Sequence, residues 1–218
     1  MPAPSPGLFI TLEGLDGSVK STQLEKLAAW FQQRQRQVVI TREPGGTPIG
    51  DQIRALLLDS ATSGMDPLTE LALMFASRAQ HIAQVIRPAL DGGAIVLCDR
   101  FTDSTEAYQG GGRRLGSEPV LALHKVLCGD LQPDVTLLLD CDPIHSLNRA
   151  CRRNRESLEA DENRFEQENR AFFARVAQAY QEIARRNPQR VKVIDARGTP
   201  EQTHREIVRV VQERMKKS

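Results

Sequence analysis

Five short, almost wholly apolar runs recur along the chain, and the stretches between them are helical in pattern. The runs are Leu8–Glu13, Val38–Thr41, Ala94–Cys98, Val135–Leu139 and Val191–Ile194. A strand with one wet face alternates apolar and polar residues. These runs are apolar nearly throughout, the pattern of strands buried on both faces. Parallel neighbours of that kind need crossover connections long enough to hold a helix. Start signals for those helices are present. Asp66-Pro67 puts a capping side chain ahead of a proline in the first turn, which predicts one helical stretch from Leu68 to Leu90. Asp142-Pro143 repeats the signal, and Thr199-Pro200-Glu201-Gln202 is a capping box ahead of a terminal helix. The fold class that follows is α/β: a five-stranded parallel sheet with helices on both faces. Such sheets bind ligands beyond the carboxyl ends of their strands, so the chemistry is expected just after Glu13, Thr41, Cys98 and Asp140.

Composition excludes several other classes. Lys+Arg is 29 against Asp+Glu 28, and a net charge of +1 gives no electrostatic case for general nucleic-acid binding. The four cysteines (Cys98, Cys128, Cys141, Cys151) form no CxxC pair, so neither a disulfide framework nor a zinc site is expected. A reducing, cytoplasmic setting is the natural reading. The longest apolar runs hold about five residues, far short of the roughly 20 that a membrane helix needs. The opening MPAPSPG has neither a cationic start nor an apolar core, which predicts a flexible lead-in and not a signal peptide. At 218 residues the chain reads as one domain, 1–218. His81, His124, His145 and His204 do not cluster and read as surface or structural residues. Trp30 and Phe31 read as packing on the first helix.

The first strand leads into Gly14-Leu15-Asp16-Gly17-Ser18-Val19-Lys20-Ser21, with Thr22 following. Gly14, Lys20 and Ser21 are in register with the phosphate-loop pattern G-x-x-x-x-G-K-[ST], between a strand and a helix as it requires. Val19 stands where the second glycine belongs. Glycine suits such a loop because successive backbone N–H groups must turn inward around phosphate. A β-branched residue at positive φ would carry roughly 1–3 kcal/mol of strain. In a working loop Lys20 reaches the β- and γ-phosphates and the Ser21 oxygen meets Mg²⁺. Taken alone, the motif reads equally as a degraded phosphate loop or as an incidental strand–turn–helix. A second segment, CRRNRESLEADENR, is almost entirely charged or polar. It reads as a solvated helix end, or as a mobile lid over roughly 149–164 whose arginines close on phosphates.

The segments LFITLEGLDGSVKST, TREPGGTPIGDQIRALLLD, TELALMFASRAQHI, CDRFTDSTEAYQGGGR and PDVTLLLD are together similar to the bacterial thymidylate (dTMP) kinase family, over residues 8 to about 215. The resemblance implies a three-layer phosphate-loop kinase fold, transfer of the γ-phosphoryl of ATP to dTMP, Mg²⁺ as cofactor and a homodimer. It implies catalytic roles for Lys20, Arg100, Glu43 and a lid arginine, with Arg153 the first candidate and Arg149 and Arg152 beside it. Residues 14–22 would bind ATP, and Ser21 and Asp99 would face the metal. Arg54 and Arg100 would hold the acceptor phosphate, with Arg42 supporting its loop. Arg78 would donate to thymine O4, and Ser104, Thr105 and Gln109 would complete the base site. Tyr108 would crowd the sugar 2′ position, and Asp16 would accept from the 3′-hydroxyl.

Three departures from the family pattern stand out. Val19 replaces a glycine, Met74 stands where an aromatic ring stacks on the base, and Asn163-Arg164 replaces an Asp-Arg pair after a longer lid connection. Phe75 follows Met74, but about 100° of helical turn points it away from the site. Three functions therefore stand open: an active dTMP kinase, a related nucleotide-binding protein with turnover impaired by Val19, or a kinase for another nucleotide.

Overall fold

A computed structural model describes residues 7–15, 17–129, 131–141, 164–165 and 167–216. Five strands form one sheet: β1 (Leu8–Glu13), β2 (Val38–Arg42), β3 (Ile95–Asp99), β4 (Val135–Asp140) and β5 (Val191–Asp195). Their order is β2-β3-β1-β4-β5 and every pairing is parallel, as the apolar runs predict. β1 lies at the centre with β3 on one side and β4 on the other, and Leu12 is in register with both Asp99 and Leu137. The carboxyl ends of three strands thus open side by side at the middle of one edge.

The strand period of two sorts β1 between two cores. Leu8, Ile10 and Leu12 join Leu27 and Phe31 of α1 (Lys20–Gln32), and Ile207 and Val211 of α8 (Pro200–Met215). Phe9 faces the other way, against Phe75, Phe101 and Val96. Thr11 meets Thr136 across the strands at 2.8 Å, and Glu13 continues that second row. The second face is covered by α3 (Pro67–His81), α6 (Ser117–Cys128) and α7 (Arg170–Arg186). α7 packs Phe172, Val176 and Tyr180 into a cluster with Tyr108.

Local signals act where the sequence has them. Asp66 accepts from the Leu68 amide at 2.8 Å, and the Thr199–Gln202 capping box is formed in both directions. The predicted stretch from Leu68 to Leu90 is not one regular helix. α3 passes through a π-helical turn, Ile82–Ile86, into α4 (Arg87–Asp91). Pro88 explains the change: it has no N–H to close an α-helical bond, and the Arg87 amide instead reaches back five residues to the Ile82 carbonyl. Two further helices, α2 (Pro48–Leu58) and α5 (Thr102–Thr105), lie at the carboxyl edge of the sheet. α5 runs into a second π-helical turn, Glu106–Gly112, which lies against α7.

Candidate active site

At the end of β1 the chain turns through Gly14 (φ 133°) and Gly17 (φ 79°) and enters α1 from Val19. Gly14 has no room for a side chain, because a Cβ there would lie 2.8 Å from the Leu139 carbonyl. Val19 adopts φ 60° and ψ 22°, the left-handed conformation that a β-branched side chain resists. The backbone therefore keeps the path a glycine would take. Lys20 folds over the loop, and its Nζ donates to the carbonyls of Gly14 (3.1 Å) and Leu15 (3.0 Å). Ser18 is buried beneath it, whereas Ser21 and Thr22 are exposed on the first turn of α1.

Arg100 follows β3 and has φ 72°, held by its own amide donating to the Leu12 carbonyl at 3.0 Å. Its guanidinium lies 4.9 Å from the centre of the Tyr108 ring. Nη1 donates to Ser104 Oγ (2.9 Å) and Tyr180 Oη (3.2 Å), and Nη2 donates to Tyr108 Oη (3.2 Å). Behind these hydroxyls lies Glu13, fully buried at the end of β1. It accepts from the Phe101 amide at 2.8 Å, from Tyr180 Oη at 3.1 Å and from Ser104 Oγ. Burial is the largest influence on this carboxyl and pushes its pKa up to about 7; the charge of Asp103 adds to it, while Ser104, Arg100 and the Phe101 amide oppose it. Asp103 is itself paired with Arg190 at 2.5 Å.

The next group hangs from α3. Arg78 is buried, and its Nε donates to Glu43 Oε2 at 2.6 Å and its Nη2 to Thr105 Oγ1 at 2.8 Å. Its Nη1 is buried with no hydrogen-bond partner among the described residues. An unpaired guanidinium nitrogen away from water costs free energy, so a site built this way is complete only with an acceptor. His81 Nδ1 lies 2.9 Å from Glu43 Oε1, and its Nε2 lies 2.6 Å from Thr41 Oγ1. Both oxygens of Glu43 are thus committed. Glu43, expected beside the phosphates and Mg²⁺, holds Arg78 and His81 with its carboxylate. Met74 packs against the Tyr108 cluster, while Phe75 is buried in the neighbouring cluster with Phe9 and Phe101, turned away as the helical turn predicts.

A glutamate outside the expected set organises the far end of α3. Glu70 is fully buried and accepts from Gln109 Nε2 (2.7 Å), Arg113 Nε (3.1 Å) and Arg164 Nη2 (2.6 Å). Arg54 on α2 donates to the Pro44 carbonyl at 3.2 Å, and Arg42 is exposed. Asp99 and Ser21 line one hollow of about 430 Å³ together with Thr41 and Asp51. Asp99 Oδ1 is buried without a partner among the described residues. Carboxylate and hydroxyl oxygens of this kind suit Mg²⁺, which binds a few protein oxygens and completes its shell with phosphate and water. The residues present therefore fit the ion.

Comparison with known proteins decides the family. The sequence model of the family described as thymidylate kinase matches residues 12–207. A thymidylate kinase of Pseudomonas putida (strain F1) is 52% identical over 201 residues, covering 92% of this chain and 93% of that protein. One from Nitratidesulfovibrio vulgaris is 48% identical over 205 residues, covering 94% and 92%. The crystal structure of the Ehrlichia chaffeensis thymidylate kinase superposes with a TM-score of 0.75 at 32% identity, over 95% of this chain and 100% of that one. The chain belongs to the thymidylate kinase family.

Within the family pattern, most expected site residues are gathered at the carboxyl edge of β1 and β3. Asp16 and the lid arginines Arg149, Arg152 and Arg153 lie outside the described residues. Arg164, where the family pattern has an Asp-Arg pair, is buried on Glu70 and donates its Nε to the Leu57 carbonyl at 2.6 Å. Glu13, Glu70 and Tyr180 are the contacts that reading the sequence missed. Glu13 looks like the polar end of an apolar strand, and Tyr180 looks like one more core residue of α7. The buried histidines are structural, as expected: His124 Nδ1 lies 2.9 Å from Thr102 Oγ1, and burial lowers its pKa.

Two outcomes follow for stability. Val19→Gly removes a left-handed side-chain penalty of about 1–2 kcal/mol and adds a glycine entropy cost of about 0.5–1 kcal/mol. Half-buried Val19 also packs on the first core, so the strain is read against Val19→Ala, which gives up most of that packing but keeps a Cβ. In urea denaturation the glycine variant should be the more stable of the two, and equal or lower stability would contradict the strain. The raised Glu13 pKa means that the folded state holds a proton which the unfolded state has released between about pH 4.5 and about 7. This contribution is full below that window and is lost as pH rises through it. The unfolding midpoint of the wild type should fall across the window relative to that of Glu13→Gln, which has no proton to lose; parallel curves would refute it.

Proposed function

We propose that the chain transfers the γ-phosphoryl group of ATP to dTMP, giving dTDP and ADP. The observation that carries this reading is the buried Nη1 of Arg78, without a partner among the described residues, on a guanidinium fixed by Glu43 and Thr105 and suited to a carbonyl such as thymine O4. Arg100, Arg54 and Lys20 supply the cations that bring two polyanions together, and an arginine fork matches phosphate oxygens in geometry. An oxygen of the acceptor phosphate attacks the γ-phosphorus in line, and the bond from that phosphorus to the β,γ-bridging oxygen breaks as ADP leaves. Positioning and charge stabilisation supply the acceleration, with little covalent chemistry asked of the protein. Ser21 and Asp99 would hold Mg²⁺, whose charge offsets that of the phosphates. Tyr108 beside Arg100 supports a role at the sugar, and Gln109, Ser104 and Thr105 support the base and phosphate sides.

The single domain is proposed to work as a cytoplasmic homodimer. Leu121, Val126 and Leu127 of α6 are exposed, Val126 by 78%, as are Leu68 of α3 and Leu56 of α2. Exposed apolar surface of this kind suits a partner copy. Among the described residues no helix is long and apolar enough to cross a membrane.

The decisive experiment is ADP formation from Mg·ATP with dTMP, dUMP, dCMP and dGMP as acceptors, for the chain as it stands and for Val19→Gly. Turnover is expected with dTMP, within a few-fold between the two proteins, since Val19 already holds the left-handed turn. Activity only in the glycine variant would favour a chain impaired by Val19. Preference for another acceptor would overturn the dTMP reading. For the lid, Arg153→Ala is expected to lower kcat at least tenfold with little change in dTMP affinity, and an unchanged kcat would remove Arg153 from the catalytic set.

A further inference from the structure

We propose that Glu13 and Tyr180 are positioning residues for the acceptor phosphate: the buried Glu13 carboxylate, working through the Ser104 and Tyr180 hydroxyls, aims the Arg100 guanidinium. The proposal rests on the reading above that Arg100 grips the phosphate of dTMP. A hydroxyl has one hydrogen to donate, and an ionised carboxylate only accepts. Ser104 Oγ donates to Glu13 Oε2, and Tyr180 Oη, 3.1 Å from that oxygen and 2.8 Å from Ser104 Oγ, spends its one hydrogen on the pair, so lone pairs of both hydroxyls are left to Arg100. Arg100 Nη1 donates to both of them, at 2.9 Å and 3.2 Å. The proton order runs one way, from guanidinium to hydroxyl to carboxylate. The same carboxylate also fixes the backbone of this arginine. Oε1 takes the Phe101 amide at 2.8 Å, immediately after the residue whose φ is 72°. A left-handed non-glycine residue persists only where its surroundings over-determine it. Glu13 therefore controls both ends of Arg100, its turn and its tip.

Tyr180 makes the arrangement testable, because its ring and its hydroxyl do separate work. The ring is packed against Tyr108 and the α7 core, and phenylalanine retains that packing. Only the hydroxyl reaches Arg100 and Glu13.

The test compares dTMP with thymidine, which carries the same base and sugar but no phosphate for Arg100. Binding of each is measured by calorimetry on the full chain at about pH 8, where Glu13 is ionised, with KM for dTMP and ATP. Tyr180→Phe is expected to weaken dTMP about tenfold, the order expected for one lost hydrogen bond to a charged group. Thymidine affinity and the KM for ATP should not change. Glu13→Gln offers an NH₂ where both hydroxyls need an acceptor, and should lower the dTMP-to-thymidine affinity ratio further. Equal losses for both ligands in Tyr180→Phe would mean that Tyr180 only packs, and would overturn the proposal. No loss for either ligand would overturn it as well. If the wild type binds thymidine as tightly as dTMP, the acceptor-phosphate reading itself falls, a result visible without any variant.

Discussion

The amide of Phe101 donates to the carboxylate of Glu13, and this bond stitches together two loops that the sheet only brings near each other. Parallel pairing sets β1 beside β3 and so delivers the phosphate loop and the Asp99-Arg100 turn to one edge. It does not fix the angle at which the second turn leaves. That angle is set by a buried acceptor which cannot be replaced by water and cannot be left unfilled. The helices α5 and α7 inherit it, because Ser104 and Tyr180 close on the same carboxylate oxygen.

The fold was legible because its main signal is large and local. Apolar runs of four to six residues at well-spaced intervals leave few architectures other than a parallel sheet with two covered faces. The caps at Asp66 and Thr199 were legible for the same reason, each resting on residues two or three apart. The break in the helix after His81 was less so, since Pro88 announces trouble without saying whether the chain will kink, stop or widen. The site separated along a similar line. Residues expected to touch a ligand carry recognisable chemistry in a recognisable spacing. Residues that hold those from behind carry no such mark. Glu13 and Tyr180 lie 167 positions apart, and nothing in the local pattern of either points to the other. Glu43 shows the converse arrangement. A carboxylate in a motif rich in phosphate chemistry was expected to meet the reaction, yet geometry commits both of its oxygens to Arg78 and His81.

Val19 shows how a backbone can outlast the residue that would suit it best. The turn into α1 is fixed upstream by two glycines and downstream by the first helical bond, in which the Gln23 amide donates to the Val19 carbonyl at 3.2 Å. With both ends determined, the middle residue accepts φ 60° whatever its side chain. Side-chain strain of order 1–2 kcal/mol is small beside the contacts that impose the turn.

The crowding around Gly46 has a consequence beyond its own loop. A Cβ at that position would lie 2.7 Å from both His81 Nε2 and Thr41 Oγ1, the two atoms that bond each other. A methyl group there would push on a histidine whose other nitrogen faces Glu43, and Glu43 is what holds the arginine on α3. A single added carbon in an outer loop would therefore travel through three side chains to the pocket floor. The loop and the floor are not free to move separately: the space at residue 46 and the aim of Arg78 form one mechanical unit.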